Sequence, residues 1–554
     1  MSVFMSILKL LAGVGVFLAG MRFMSEGLQQ SAGGGVKQMF AKFSDKRLVG
    51  YGIGTGVTAI IQSSDATTVM TMGLVNAGIM KLRQATSVVL GAKLGTTITG
   101  VIVALSAFST GGFSFNTFFA AVSAVGVGMI VFTKKDKINR IGRILMGFGF
   151  IFVGLIMMCE SMVTDEINGF FVGLFTAIRN PILLLLMSFL FTGLIQSSSA
   201  ATGIYIALVG AGTMTTFQAL FLVMGANVGT CVTAIWAAIG ASADTKRVAF
   251  LHITTAAFGA LVFSILLTFF GKQASAFLDS AISLPEWRIA LFNVVFNLTY
   301  TLLLLPFVGK LEQLARLCIK DTSKKEQPVV TFIDDRMLET PSIAVAQVQK
   351  EILRMANLSK ANLSIAIKAL GGDMSQRDTL IDNEQTINTL NREIASFLIK
   401  ISTHGSITAV DEKLVGSLHH VISDIERIGD HARNFVEFAD ELNRQGCAFS
   451  ADAQAELAVM YGRVSEMFDL GLGVIESRDR SGLKKLAALE DEVDALKRVY
   501  GEHHIKRLHE GVCTIESGMY YYDVITELER IADHIINIAF SVDSPTGTIA
   551  AVIE

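Results

Sequence analysis

Two apolar runs early in this chain are cut by the same polar phrase, Gln62-Ser63-Ser64-Asp65-Ala66 in the first and Gln196-Ser197-Ser198-Ser199-Ala200 in the second. A helix needs about twenty consecutive apolar residues to cross a bilayer. The runs at 49–61 and 182–195 are both too short before the phrase stops them, and apolar stretches resume at 69–79 and 204–211. Each interrupted run therefore reads as two half-helices meeting inside the membrane. Unwound backbone at that depth survives only where protein, water or a ligand satisfies its amides and carbonyls.

A second phrase follows each of the first, Gly91-Ala92-Lys93-Leu94-Gly95-Thr96 and Gly225-Ala226-Asn227-Val228-Gly229-Thr230, and both pairs stand at the same offset of 134 positions. Thr68 and Thr202, Gln84 and Gln218, and Thr99 and Thr233 keep that register without a gap. The repeats run over about 48–107 and 182–240. Two broken segments at matching places in two repeats mark a transporter site near the membrane midplane. Close helix packing by Ser, Thr and Gly is the simpler use of such residues, but the repetition of Gln with the second phrase favours a site.

Composition divides the 554 residues into a transmembrane part over 1–310, a linker over 311–340, a helical part over 341–543 and a tail over 544–554. The first part is rich in Gly, Leu, Phe and Ala; the rest is charged and helix-forming. The predicted fold class is all-α: a polytopic membrane protein whose repeats contain re-entrant helix hairpins, joined to two three-helix bundles. A net charge of −3 offers no basic footprint for nucleic acid. The five scattered cysteines lack CxxC spacing and read as free thiols in a reducing compartment. The first apolar run, 3–24, lacks a basic leader and a cleavage site and reads as a retained membrane helix. Further spans are expected near 85–107, 113–132, 144–162, 217–238, 248–270 and 289–308.

Hydroxyls, a glutamine amide and free amides at half-helix N-termini donate to an anion, and the same hydroxyls with nearby carbonyls hold a hard cation. No arginine lies in either phrase, so a multivalent anion would need co-bound cations. Arg22, Glu26, Glu160 and Arg179 read as interfacial anchors near helix ends, and His252 as a core residue. Basic clusters at Lys134-Lys135-Asp136-Lys137 and from Lys310 to Lys325 mark cytoplasmic edges by the positive-inside rule, which puts the C-terminal half in the cytosol.

The paired phrases resemble the type II sodium/phosphate cotransporter family over about residues 1–310. The resemblance implies inverted repeats with inorganic phosphate between the two turns, at Gln62, Ser63, Ser64, Gln196, Ser197, Ser198 and Ser199. It implies sodium ions held by Thr68, Thr96, Thr202, Asn227 and Thr230 with the turns. Two charged residues depart from the pattern: Asp65 stands where the second copy has Ser199, and Lys93 where it has Asn227. Charges at membrane depth are costly and pair, so Lys93 is expected near Asp65, in place of a sodium ion. The alternative has Lys93 reaching to water while Asp65 holds an extra cation.

Beyond the linker, amphipathic helices are expected over 342–370, 377–404, 410–444, 451–477, 483–508 and 515–541. Ile425-Glu426-Arg427-Ile428-Gly429-Asp430-His431 is repeated as Leu528-Glu529-Arg530-Ile531-Ala532-Asp533-His534, which doubles a three-helix layout. Glu and Asp one turn apart repel unless a cation joins them; Arg427 and Arg530 serve as ion-pair partners, or a metal does. The phrase resembles a PhoU domain, which implies a divalent or iron-type metal at Glu426 with Asp430 and at Glu529 with Asp533. The acidic element upstream is whole in the second copy, Glu490 with Asp494, but reads Glu384 with Asn388 in the first.

Together these features predict a sodium-coupled phosphate carrier, not an enzyme, multi-pass in the cytoplasmic (inner) membrane. Its PhoU-like cytoplasmic part would regulate it, its partners would be phosphate, sodium and lipid, and it would form a homo-oligomer. A phosphate receptor without turnover is the competing reading. A serine hydrolase finds no Gly-x-Ser-x-Gly elbow to support it.

Overall fold

The structure, a computed structural model, describes residues 2–41, 46–107, 109–110, 113–133, 135–162, 172–173, 178, 180–320, 329–403, 407, 409–477 and 480–543. The tail at 544–554, linker residues 321–328, the break at His404-Gly405 and the charged residues Lys134, Arg179, Lys324 and Lys325 lie outside them. Two compact units emerge, one drawn from Met1–Glu326 and Asp334–Ile343, the other from Gln327–Ile333 and Ala344–Glu554.

The first unit opens with α1 (Ser2–Ala41), the half-helices α2 (Arg47–Ile61) and α3 (Ser64–Asn76), and α4 (Leu82–Gly95) with α5 (Thr97–Ala104). Helices α6 (Phe115–Phe132) and α7 (Asp136–Met162) follow. The second repeat is α8 (Pro181–Ile195), α9 (Ser198–Gly210), α10 (Thr216–Gly229) and α11 (Cys231–Ala238), and α12 (Ala243–Ala281), α13 (Pro285–Leu304) and α14 (Val308–Cys318) complete it. Six helical stretches among the described residues are long and apolar enough to cross a membrane.

Three details differ from the sequence expectation. The half-helices α3 and α9 begin at Ser64 and Ser198, directly after the turn, because Ser63 and Ser197 cap them. The spans expected over 85–107 and 217–238 are the stretches Leu82–Ala107 and Thr216–Ala238, each of which carries a local turn at a threonine, Thr96 and Thr230. There the hydroxyls of Thr97 and Thr233 donate to carbonyls of the preceding turn, Leu94 at 2.7 Å and Thr230 at 2.5 Å. The stretch at 113–132 starts with a two-residue strand, β2 (Phe113–Ser114), paired with β1 (Ser109–Thr110), so only α6 remains helical.

The repeated glycines bring backbones together. A Cβ on Gly91 would lie 2.0 Å from the Tyr51 carbonyl oxygen, and one on Gly225 would lie 2.2 Å from that of Leu185. In this way α2 seats on α4 and α8 on α10, at matching points of the two repeats. The repeats also exchange arms: α5 packs on α9, and α11 on α3. Helix α13 backs α4, α5, α9 and α10.

The second unit consists of α15 (Pro341–Leu370), α16 (Arg377–Ser402), α17 (Ala409–Gln445), α18 (Ala451–Ser477), α19 (Leu483–His509) and α20 (Ile515–Asp543). The expected helices match these within a few residues, because each buries one apolar face at a period near 3.6. Buried Ser359 donates to the Ile425 carbonyl, and buried Asn362 to that of Leu380, which ties α15 to α17 and α16. Helices α18, α19 and α20 form the second bundle, and α17 meets α20.

Candidate binding site between the repeats

Helices α2 and α8 end in the same way. Gln62 and Gln196 adopt left-handed backbone, φ 60° and 52°, and each donates its amide N–H to the threonine carbonyl four residues back at 2.7 Å. These are the only non-glycine residues of positive φ among those described. The conformation costs roughly 1–2 kcal/mol for an L-residue. Glycine would adopt it freely, so retaining glutamine twice points to a use for the side chain.

The chain then reverses at once into the next half-helix. Ser63 and Ser197 are extended, and their Oγ atoms accept from the amides of Ala66 at 3.1 Å and Ala200 at 3.2 Å. Each phrase is thus a shared C-cap and N-cap. The free amides and positive ends of α3 and α9 meet at one cavity of about 210 Å³, lined by 62–65 of the first repeat and 196–199 of the second. All seven residues assigned to the anion stand together there.

The cavity wall includes four residues of α1: Leu18, Met21, Arg22 and Ser25. Ser25 donates to the Ile61 carbonyl at 2.5 Å, which fixes α1 to the end of α2. Arg22 brings the charge that neither phrase supplies, and its Nε donates to Glu26 Oε1 at 2.9 Å. Sequence reasoning passed over Arg22 as an anchor. The available signal was an Arg-Glu pair one turn apart inside an apolar run.

Of the expected ion ligands Asp65 lines the cavity, whereas Thr68, Thr96, Thr202, Asn227 and Thr230 lie outside its lining. Thr99 donates to Gln62 Oε1 at 2.7 Å, so α5 steadies the first turn. Thr68 is fully buried with no partner for Oγ1, and Asp65 Oδ1 is likewise buried and unpartnered. Acceptor oxygens of this kind suit a small hard cation. Thr202 is buried beside the second turn, while Thr96 and Thr230 spend their hydroxyls on Ala92 at 3.3 Å and Asn227 at 3.2 Å. Asn227 Nδ2 donates to the Val223 carbonyl at 2.9 Å and to Asn293 Oδ1 at 3.4 Å.

Lys93 does not reach water. It is 2% exposed, with Nζ 3.4 Å from the Asn227 carbonyl oxygen, 3.3 Å from His252 Nε2 and 3.8 Å from Cys231 Sγ. No ion pair joins it directly to Asp65 among the described residues; its contacts are Asn227, His252 and Cys231.

In the second unit the doubled phrases face each other across the two bundles. His431 bonds Glu527, His534 Nδ1 lies 2.9 Å from Asp424 Oδ1, and the imidazoles stack at 5.6 Å. Burial, then Asp430 and Glu384, push the Glu426 carboxyl above its usual range; burial and Glu384 do the same to Asp430. In the second bundle burial, then Asp494 and Asp533, raise Glu490, and burial, then Glu529 and Asp494, raise Asp533. Lys497 Nζ meets Glu529 Oε2 at 3.0 Å. Among the described residues no group of three or more His, Cys, Asp or Glu side chains stands ready to hold a metal.

Residues 16–160 and 166–284 match the Na+/Pi-cotransporter family, and residues 352–439 and 457–542 match the PhoU domain. The protein named "Putative inorganic phosphate export protein YjbB" in Escherichia coli strain K12 is 26% identical over 546 residues, covering 97% of each chain. "Uncharacterized protein YqeW" of Bacillus subtilis is 28% identical over 305 residues, 55% of this chain and 95% of that one. A "Phosphate-specific transport system accessory protein PhoU homolog" of Synechocystis sp. is 29% identical over 198 residues, 35% of this chain and 86% of its own. The Na+/Pi-cotransporter family model thus covers the N-terminal region of this chain and the PhoU domain model its C-terminal region.

Proposed function

We propose that this chain carries inorganic phosphate across the cytoplasmic membrane with sodium, and that its PhoU domain, on the cytoplasmic side, regulates the flux. One observation carries the reading: two left-handed glutamines, each followed by a serine-capped helix N-terminus, converge on a single cavity. Gln62, Ser63, Ser64, Gln196, Ser197, Ser198 and Ser199 bind phosphate there, and Arg22 adds positive charge from α1. Thr68, Thr96, Thr202, Asn227 and Thr230 form the coupling layer behind it, with Asp65 at the cavity wall. The hydroxyls of Ser63 and Ser197 already serve as helix caps, which leaves them poorly placed as nucleophiles.

Direction follows the gradients. The relative named for export and a family named for cotransport are both compatible with one carrier working either way. In the PhoU domain, a divalent or iron-type cation on Glu426 with Asp430 would relieve the repulsion of that pair. On Glu529 with Asp533 it would first displace Lys497.

Labelled phosphate flux in proteoliposomes, with and without a sodium gradient, tests the reading. Counterflow that depends on sodium supports it. Binding without counterflow would instead identify a receptor.

A further inference from the structure

The repeat places Lys93 and Asn227 at one position of two matching helices, α4 and α10. Asn227 is neutral and bonded within its own neighbourhood. Lys93 differs in charge, and every atom its ammonium meets comes from outside its own repeat helix: the Asn227 carbonyl on α10, Cys231 on α11 and His252 on α12. A carbonyl oxygen, an imidazole nitrogen and a thiol, closed off from water, make up a cation's surroundings. The compensating charge stands in the same repeat, where Asp65 replaces the neutral Ser199 and keeps a buried oxygen without a partner. Both charged substitutions therefore occur together, in one repeat.

We propose that Lys93 is a tethered cation that occupies the coupling position of the first repeat, so that phosphate moves with one sodium ion fewer than a neutral residue there would require. This rests on the transport reading above. The Asn227 carbonyl, Cys231 and His252 hold this fixed positive charge, and a free cation added beside the ammonium would meet a like charge in a dry site. The second repeat, with Ser199 and Asn227, keeps its exchangeable ion.

The experiment measures the order of sodium dependence and the sodium-to-phosphate ratio in proteoliposomes. The variants are Lys93→Asn, Lys93→Arg, and Asp65→Ser combined with Lys93→Asn. The double variant reproduces in the first repeat the Ser199 and Asn227 pair that already folds in the second. Expected is a ratio higher by one sodium in Lys93→Asn and in the double variant, and a wild-type ratio in Lys93→Arg. An active double variant with the wild-type ratio overturns the proposal and leaves phosphate transport standing. An equal rise in Lys93→Arg also overturns it, since charge would then be irrelevant. A wild-type chain that moves no phosphate fails at the transport reading itself.

Discussion

Gln62 and Gln196 share one left-handed backbone conformation at equivalent points of the repeats, and the side chains that follow them line one cavity. The strain is local and removable, which separates stability from function. In Gln62→Gly the backbone cost of roughly 1–2 kcal/mol disappears but the bond from Thr99 is lost with the side chain, a comparable cost, so thermal stability is expected to change little while phosphate flux falls at least tenfold. In Gln62→Ala the strain stays and flux is lost as well. Melting followed by dye fluorescence, beside flux, checks the pair; a Gln62→Gly variant with wild-type flux would remove the glutamine from the site.

Arg22 lies at the cavity wall with Glu26 on its Nε, and Arg143 Nη1 approaches Glu26 Oε2 at 3.7 Å. Its side chain is 81% exposed, so its pull on an anion is screened and worth on the order of 1 kcal/mol. Arg22→Ala is expected to raise KM for phosphate about three- to tenfold with little change in maximal rate. Glu26→Gln frees the guanidinium and is expected to lower KM. Both shifts should shrink as inert salt rises, and initial rates across ionic strength give the answer.

What the amino-acid order discloses depends on how local the cause is. The helices of the second unit are legible almost to the residue because amphipathic period and Gly breaks act within a turn or two. The broken helices are legible because polarity interrupts an apolar run, though their restarts at Ser64 and Ser198 needed the capping geometry. Arg22 joins the cavity only through the seating of α1 on α2, a contact between residues 36 positions apart at Ser25 and Ile61. The surroundings of Lys93 come from α10, α11 and α12, which no single repeat comparison could name.

The PhoU domain carries carboxylates that hold protons more readily folded than unfolded. Glu426, Asp430, Glu490 and Asp533 are all raised, chiefly by burial and then by acidic neighbours. Such groups favour the folded state below the ordinary carboxyl range near 4 and lose that contribution as pH rises through their raised values. At pH 7.5 Glu426→Gln is therefore expected to raise the domain's melting temperature by roughly 2 °C. With millimolar Mn2+ the order should reverse, because the variant lacks one carboxylate of the pair. Hydrogen exchange in α17 of the full chain reads both conditions, and a Mn2+ response equal in variant and wild type would detach the metal from Glu426.

The segment just before α15 offers a handle on the rate. Asn76 Nδ2, at the end of α3, donates to Asp334 Oδ2 at 2.7 Å; Arg336 pairs with the same oxygen at 2.7 Å and donates from Nε to the Ala237 carbonyl, at the end of α11, at 2.7 Å. Met337 is fully buried, and a Cβ on Gly73 would lie 3.1 Å from its side chain. This strap pins together α3 and α11, the re-entrant half-helix of one repeat and the arm of the other. A carrier must move these helices relative to the site to release its cargo, and bonds broken in that motion add to its barrier. Arg336→Ala removes a charge-assisted pair and a helix-end bond, of which a part on the order of 1 kcal/mol falls in the barrier. Maximal flux is expected to rise about three- to fivefold with KM and sodium order unchanged. A fall in flux with altered KM would mean that the strap builds the site instead of restraining it.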